Sequence, residues 1–295
     1  MTALSLQRFT RGVRKYSVPY LFIAIPVITS IAFLVIPMVT SFWWSLNDYS
    51  GLQPPEFVGL GNYIRLLTRD DTFMHALRNT TLFVLLGMSI GPTLGMLTAL
   101  MLNQQVRLRA VFRTAYFLPV MTSLVVVSTI WKILYNRSGL LNSLFAAVGL
   151  GSIAWLSDPR VSLISIVLAS VWQGFGFETV VFLAAMQGIP KELYEAASID
   201  GASSWQRFWN ITLPSLRPVI LFAYIYGIIG SYQVFDQIFV MTSGGPVYST
   251  TSLVYYLFTR FQDLRLGYAS AIAYILFIIL MVFSYVQLRV FRERE

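Results

Sequence analysis

The sequence predicts an all-α membrane protein with six transmembrane helices. Of its 295 residues, 56% are hydrophobic and only 12% are charged, and the mean hydropathy is +0.67. Soluble domains carry about twice that share of charged residues, so the composition indicates a bilayer environment. Six apolar runs are long enough to cross a bilayer, because a spanning helix needs roughly 20 apolar residues. The placement of basic residues predicts which side of the membrane each connecting segment faces.

Each predicted span corresponds to one apolar run. The runs cover residues 18–45, 79–102, 114–135, 161–187, 218–241 and 268–288. No repeat, linker or low-complexity tract separates them, so we expect one domain over residues 1–295. The first run is too long for a secretory signal peptide and no small-residue cleavage site follows it. Trp43 and Trp44 at its end are typical of an interfacial belt, so it is predicted to be a retained helix.

Basic residues cluster on one side of the predicted spans. More than half of the 21 Lys and Arg residues lie in four short segments. These residues are Arg8, Arg11, Arg14, Lys15, Arg107, Arg109, Arg113, Lys191, Arg207, Arg217, Arg289, Arg292 and Arg294. Because cytoplasmic loops are enriched in Lys and Arg, both termini and segment 188–217 are predicted to be cytoplasmic. Loops 46–78 and 136–160 then lie outside, where we expect short helical pieces.

The cytoplasmic segment 188–217 has the pattern of two short helices joined by a tight turn. Good helix formers run from Lys191 to Ser198, and Asp200-Gly201 ends the run because Gly accepts positive φ. Ser203, with Gln three residues later, predicts a capping box that starts the second helix. The aromatic residues of this second helix form one stripe, since they lie at i, i+3 and i+4. Such a hairpin is small and apolar enough to fill a groove on a partner.

The same segment carries a family resemblance. It reads EAASIDGASSWQRFWNITLP from Glu195 to Pro214. This resembles the EAA loop of the permease subunits of bacterial ABC importers, which docks on the ATPase through a coupling helix. The resemblance implies that docking involves Glu195, Ala196, Ala197, Asp200, Gly201, Ala202, Phe208, Leu213 and Pro214. The other interpretation of the segment is an ordinary cytoplasmic hairpin.

Further motifs resemble the MalF-like branch, which takes up carbohydrates. They are FVGLGNY at 57–63, Phe235-Asp236, MTSGGP at 241–246, Thr250-Thr251 and GYASA at 267–271. By itself, Gly244-Gly245-Pro246 predicts only a tight turn. Together with the EAA loop, the resemblance extends from about Tyr20 to Arg289 and is closest to the short, six-span form.

The resemblance implies the fold, the partners and the location. The fold would be that of a type I ABC importer permease in a bacterial cell membrane. The partners would be a second, homologous permease, two cytoplasmic ATPase subunits that hold ATP and Mg²⁺, and an external solute-binding protein that delivers a sugar. The chain itself would be non-catalytic, without a cofactor or metal of its own, and would not bind nucleic acid.

In the resembling family the transport path runs between the fourth and fifth spans. Counting back from the motifs places ten residues there: Ser170, Gln173, Gly174, Phe177, Glu178, Gly227, Gly230, Ser231, Gln233 and Val234. Amides, hydroxyls and an aromatic face suit sugars. Trp172 belongs to the same stretch, whereas Asp236 is predicted to be structural and to cap the outer loop. For Gly227 and Gly230 we favour close helix packing instead.

Glu178 leaves two interpretations open. An acid in an apolar span is costly and faces a cavity or a partner. It would either accept hydrogen bonds from sugar hydroxyls or make a hydrogen bond between subunits as a neutral carboxyl.

Other chemistries are poorly supported. The chain has no cysteine, and its single histidine, His75, has no clustered acids beside it, so a metal site or His-based catalysis is not expected. None of the three lysines lies in a phosphate-binding loop, so the chain is not its own ATPase. Among importers, the alternative substrates are glycerol phosphates, glycerophosphodiesters, sugar phosphates, polyamines or another small solute. A membrane enzyme or an autonomous channel would need a catalytic constellation or a self-sufficient pore, and the sequence indicates neither.

Overall fold

The computed structural model describes residue 20, residues 22–104 and residues 109–292. The chain divides into two compact units, residues 1–64 with 260–274, and residues 65–259 with 275–295. Six of the basic residues that predict the orientation lie outside the described residues: Arg8, Arg11, Arg14, Lys15, Arg107 and Arg294. The same holds for most of the first four residues of the span predicted at 18–45.

The first unit contains a long helix and a small hairpin. Helix α1 runs from Phe22 to Ser45 and includes a π-turn at Ile31–Val35. Strands β1 (Asn47–Asp48) and β2 (Glu56–Phe57) pair antiparallel. The Asn62 side chain fixes the start of the hairpin, because its amide donates to the carbonyls of both Ser45 and Asn47 at 2.9 Å.

This hairpin corrects the expectation that loop 46–78 consists only of helical pieces. Helix α2 (Gly61–Arg69) does follow it, as expected. The two strands are too short for a period-two pattern to reveal them, since each has only two residues. The fold is therefore helical apart from this one ladder in the described part of the chain.

The second unit is built on two long helices. Helix α3 (Asp71–Leu102) is capped by Asp70, whose side chain accepts a hydrogen bond from Phe73 N at 2.9 Å. The hydropathy pattern places its start at residue 79, because the first turns are polar. Helix α7 (Ser162–Gln187) packs along α3. The helices lie close together at Gly95, where an added Cβ would lie 2.7 Å from Cβ of Glu178.

Shorter helices complete the chain. They are α4 (Arg109–Met121), α5 (Leu124–Leu134), α6 (Leu140–Ala147), α8 (Lys191–Ile199), α9 (Ser204–Ser215), α10 (Arg217–Tyr232), α11 (Asp236–Met241) and α12 (Leu253–Gln262). The last helix, α13, runs from Leu266 to Arg292. Within the second unit, Phe182, Met186, Leu216 and Ala223 form one of the buried clusters that join α7 to α10.

Four of the described helices, α1, α3, α7 and α13, are long and apolar enough to cross a membrane. Two bent pairs bring the number to as many as six if each pair counts as one span. The span predicted at 114–135 is α4 followed by α5, with a bend of 102° between them. Pro119 lies inside α4 and Ser123 is extended (φ −55°, ψ 135°), so the run is broken although its hydropathy is continuous.

The span predicted at 218–241 is also interrupted. Helix α10 ends at Tyr232, and the separate helix α11 begins at Asp236. At its other end α10 follows α9 with a bend of 62°. Apolar runs report the length of a span but not its breaks, which is why both interruptions were missed.

Candidate functional site

A cavity of about 440 Å³ opens among α3, α7, α10 and the interruption that follows α10. All ten residues predicted for the transport path line it. They are Ser170, Gln173, Gly174, Phe177, Glu178, Gly227, Gly230, Ser231, Gln233 and Val234. The structure therefore brings the two predicted stretches together, and their role in transport stays a prediction.

The interruption after α10 explains how polar groups reach this cavity. Gln233 follows the last residue of α10, and Val234 N donates to the carbonyl of Ser231 at 3.3 Å. Beyond the break the chain turns into α11, which begins with Asp236. Asp236 lines the cavity from the first position of α11, and the prediction that it caps the outer loop stays a prediction.

Aromatic rings form another part of the wall. Phe177 of α7 packs against Tyr226 of α10 with ring centroids 5.3 Å apart. Trp172, by contrast, lies edge-on to Trp131 at 5.6 Å and is not among the described residues that line the cavity. Aromatic faces next to amides and hydroxyls are the mixture expected of a site for a polyhydroxylated ligand.

Helix α3 supplies a wall that the sequence interpretation missed. Phe83, Gly87, Met88 and Gly91 all line the cavity. The available signal was the spacing of glycines at 87, 91 and 95, which places them on one helix face. That spacing marks a close helix contact but does not say which helix lies against it.

The cavity glycines differ in what surrounds them. An added Cβ at Gly227 would lie 2.6 Å from Sδ of Met88, which agrees with the close-packing interpretation. An added Cβ at Gly230 or Gly174 would meet no atom within 4 Å. Close packing thus accounts for Gly227, whereas Gly230 and Gly174 leave open space in the wall.

Glu178 lies where α7 faces the glycines of α3. An added Cβ at Gly91 would be 3.1 Å from Oε2 and 3.4 Å from Oε1 of this carboxyl. Oε2 is buried and has no hydrogen-bond partner in the described part of the chain. A side chain at position 91 would therefore contact the carboxyl group tightly, and glycine leaves room for it.

The tight turn of the EAA loop, residues 188–217, forms at the C-terminal end of α8. Gly201 has φ +77° at the end of α8. Its N–H donates to the carbonyl of Ser198 at 3.2 Å, and Ala202 N donates to the carbonyl of Ala197 at 2.9 Å. This pair of hydrogen bonds is a Schellman motif, which requires a left-handed residue at the position of Gly201.

The second helix of the EAA loop begins with the predicted capping box. Gln206 N donates to Ser203 Oγ at 3.3 Å, and Ser203 N donates to Gln206 Oε1 at 2.8 Å. The aromatic stripe is also present, with ring centroids of Trp205 and Phe208 6.0 Å apart and of Phe208 and Trp209 5.6 Å apart. Both local predictions for this helix are confirmed.

Two side-chain hydrogen bonds join the helices of the EAA loop, and no sequence pattern predicts them. Arg207 donates to Ser198 Oγ at 2.9 Å and to Ser204 Oγ at 3.2 Å. The hydroxyls of Tyr194 and Thr212 lie 2.8 Å apart. These hydrogen bonds therefore join the two helices on either side of the turn.

The remaining predicted docking residues lie along this element. Glu195, Ala196 and Ala197 occupy α8, Asp200 follows its last residue, and Phe208 begins a π-turn that runs to Thr212. Leu213 and Pro214 continue α9. Glu195, Ala196 and Asp200 are exposed, as are Ile199 (87%) and Trp205 (69%), so the hairpin presents apolar and acidic groups together.

Comparison with known proteins gives a consistent result. Residues 91–294 match the family described as binding-protein-dependent transport system inner membrane component. The trehalose/maltose transport system permease protein MalF of Thermococcus litoralis is 37% identical over 285 residues, 96% of each chain. The lactose transport system permease protein LacF of Rhizobium radiobacter is 36% identical over 284 residues, 94% of each chain.

A solved structure agrees in fold. It is a crystal structure of a bacterial ABC transporter involved in the import of the acidic polysaccharide alginate. One of its chains aligns with a TM-score of 0.85 and 24% identity, over 97% of this chain and 99% of that chain.

Proposed function

The chain belongs to the family of inner-membrane components of binding-protein-dependent transport systems, and we propose that it is the permease subunit of an ATP-driven importer for a sugar or oligosaccharide. The observation that carries this proposal is the cavity, whose wall combines amides, hydroxyls and aromatic rings from α3, α7 and α10. Its relatives named for trehalose, maltose and lactose transport support a sugar as the substrate.

The charges of the cavity also bear on the substrate. No Lys or Arg is present among the described residues that line it. Phosphate groups are usually held by Arg, Lys or helix N-termini, so a glycerol phosphate or glycerophosphodiester is not favoured. A neutral sugar needs only hydrogen-bonding groups and ring faces, and the wall offers both.

In the proposed mechanism the chain couples transport to ATP without performing catalysis. A second, homologous permease completes the pathway, and two cytoplasmic ATPase subunits hold ATP and Mg²⁺. Closure of the ATPase dimer moves the docked EAA loop, and the spans rock from inward-open to outward-open. An external solute-binding protein then releases its sugar into the cavity, and hydrolysis resets the complex.

The proposed location is the cell membrane, with each bent pair counted as one of six spans. Both termini and the EAA loop would lie in the cytoplasm, as the distribution of Lys and Arg predicts. The exposed apolar side chains of α1 suit contact with lipid or with the second permease.

The test is the ATPase activity of the complex reconstituted with its second permease, ATPases and binding protein. The panel includes mono-, di- and trisaccharides together with glycerol phosphates. We expect stimulation by a neutral sugar. Stimulation by phosphorylated solutes alone would contradict the sugar assignment and leave the architecture intact.

A further inference from the structure

Glu178 is the only charged residue of α7. Its carboxyl group lies against Gly91 of α3, and its Oε2 atom is buried with no hydrogen-bond partner among the described residues. A buried acceptor without a donor is unfavourable, and a charge at membrane depth more so. An apolar side chain would fill the same space without this cost, so packing alone does not account for a carboxyl group here.

The same residue forms part of the cavity wall. The other polar groups of the wall, among them Gln173, Ser231, Gln233 and Asp236, offer acceptors of hydrogen bonds. Two of the described lining residues are acids, Glu178 and Asp236, and none is a cation. The wall contributed by this chain is therefore rich in acceptors and, among the described residues, contains acids but no cation.

We propose that Glu178 selects the cargo by its charge. Its carboxylate accepts hydrogen bonds from the hydroxyl or ammonium groups of a passing sugar and repels sugars that carry a carboxylate or a phosphate. This inference rests on the proposed function, and it narrows the substrate class to neutral and amino sugars.

Of the two acids, Glu178 should contribute more to the discrimination between sugars by charge. Charge interactions grow as the surroundings become less polar, and Glu178 lies against the packed α3–α7 contact. Asp236 stands at the first position of α11, where free backbone N–H groups offset part of a negative charge. A substitution at position 178 should therefore change charge selection more than one at position 236.

Saturation-transfer NMR on the whole transporter in nanodiscs tests this directly, because it detects weak binding without the binding protein. The probes are methyl glucoside, methyl 6-amino-6-deoxyglucoside and glucuronate, which share one ring and differ in charge. All are measured at slightly alkaline pH, where the 6-amino group is still protonated. In the wild type we expect glucuronate to bind about tenfold more weakly than methyl glucoside, the size expected of one charged contact. We expect the amino sugar to bind the wild type more tightly than methyl glucoside does. Glu178→Gln should remove most of both differences in affinity.

Two further variants keep the test interpretable. Glu178→Asp retains the charge and should retain the selection, even if Glu178→Gln fails to assemble. Glu56→Gln makes the same chemical change on exposed strand β2 and should leave all three probes unchanged. Equal binding of glucuronate and methyl glucoside by the wild type, or the same ratio in Glu178→Gln as in the wild type, would overturn the proposal.

A failure of the proposal for Glu178 can be distinguished from a failure of the proposed sugar import. The same preparation is assayed for ATPase stimulation by the sugar-loaded binding protein. Stimulation by a neutral sugar together with absent charge selection would remove only the role of Glu178. Stimulation by phosphorylated solutes alone would contradict both.

Discussion

The EAA loop and the cavity are built in opposite ways. The side-chain and turn hydrogen bonds described for the loop join residues no more than 18 positions apart, as between Tyr194 and Thr212. The cavity instead joins α3, α7 and α10, so that Phe83 and Gln237 line the same space. The loop is thus a local structure that its own residues define, whereas the cavity depends on how distant helices pack.

The largest expected effect comes from disturbing the contact between helices that are distant in the sequence. Gly176 of α7 faces α4 so closely that an added Cβ would overlap the carbonyl oxygen of Tyr116. Because a backbone atom cannot yield as a side chain can, Gly176→Ala should destabilise the protein by about 3 kcal/mol or more. The measurement is the yield and melting temperature of the detergent-purified complex.

Gly174→Ala is the matched control, two residues away on the same helix. An added Cβ at Gly174 meets no atom within 4 Å, and the residue lines the cavity. We expect a normal melting temperature with reduced sugar transport. Equal melting temperatures for the two variants would show that the α4–α7 contact tolerates an extra methyl group.

The next largest effect comes from disturbing the Gly201 turn of the EAA loop. Proline at position 201 would fix φ near −65°, whereas Gly201 has φ +77°, and it would remove the N–H that donates to Ser198. We expect Gly201→Pro to abolish ATP hydrolysis coupled to transport while the chain stays in the membrane. The assay is stimulated ATPase activity together with the amount of assembled complex.

The chain offers a control with the same backbone geometry. Gly149 ends α6 with φ +78°, its N–H donates to Ala146 at 3.1 Å, and Leu150 N donates to Phe145 at 2.8 Å. This is a second Schellman motif, in the segment predicted to lie outside. Gly149→Pro should disturb α6 equally and leave coupling intact. Loss of coupling in both variants would mean that the effect is not specific to the EAA loop.

The contrast between loop and cavity also explains what the sequence could predict. The capping box at Ser203 and the turn at Gly201 were predictable because their partners lie within a few residues. The wall from α3 and the place of Asp236 were not, because contacts between distant helices determine them. The break after Met121 has local causes, Pro119 and the extended Ser123, but the continuous hydropathy of the run concealed it. The ten cavity residues were located only because motifs of the resembling family fixed the count along α7 and α10.

The smallest expected effect comes from removing the cap at the start of α9, the second helix of the EAA loop. Ser203→Ala removes the side chain that accepts from Gln206 N, and loss of such a cap costs about 1 kcal/mol. Arg207 still joins the two helices through Ser198, so the hairpin should fray rather than unfold. We expect a partial loss of coupled ATPase activity, with the melting temperature of the complex nearly unchanged.

Ser215→Ala is the control, because the hydroxyl of Ser215 bonds only back to the carbonyl of Ile211 within its own helix in the described structure. This variant should behave as wild type. Hydrogen exchange at the backbone amides of residues 204–207 separates the two cases, since fraying should speed exchange only in Ser203→Ala. Faster exchange without any loss of coupling would mean that docking does not need the start of α9 to be ordered, and the coupling surface would then lie on α8 and the Gly201 turn.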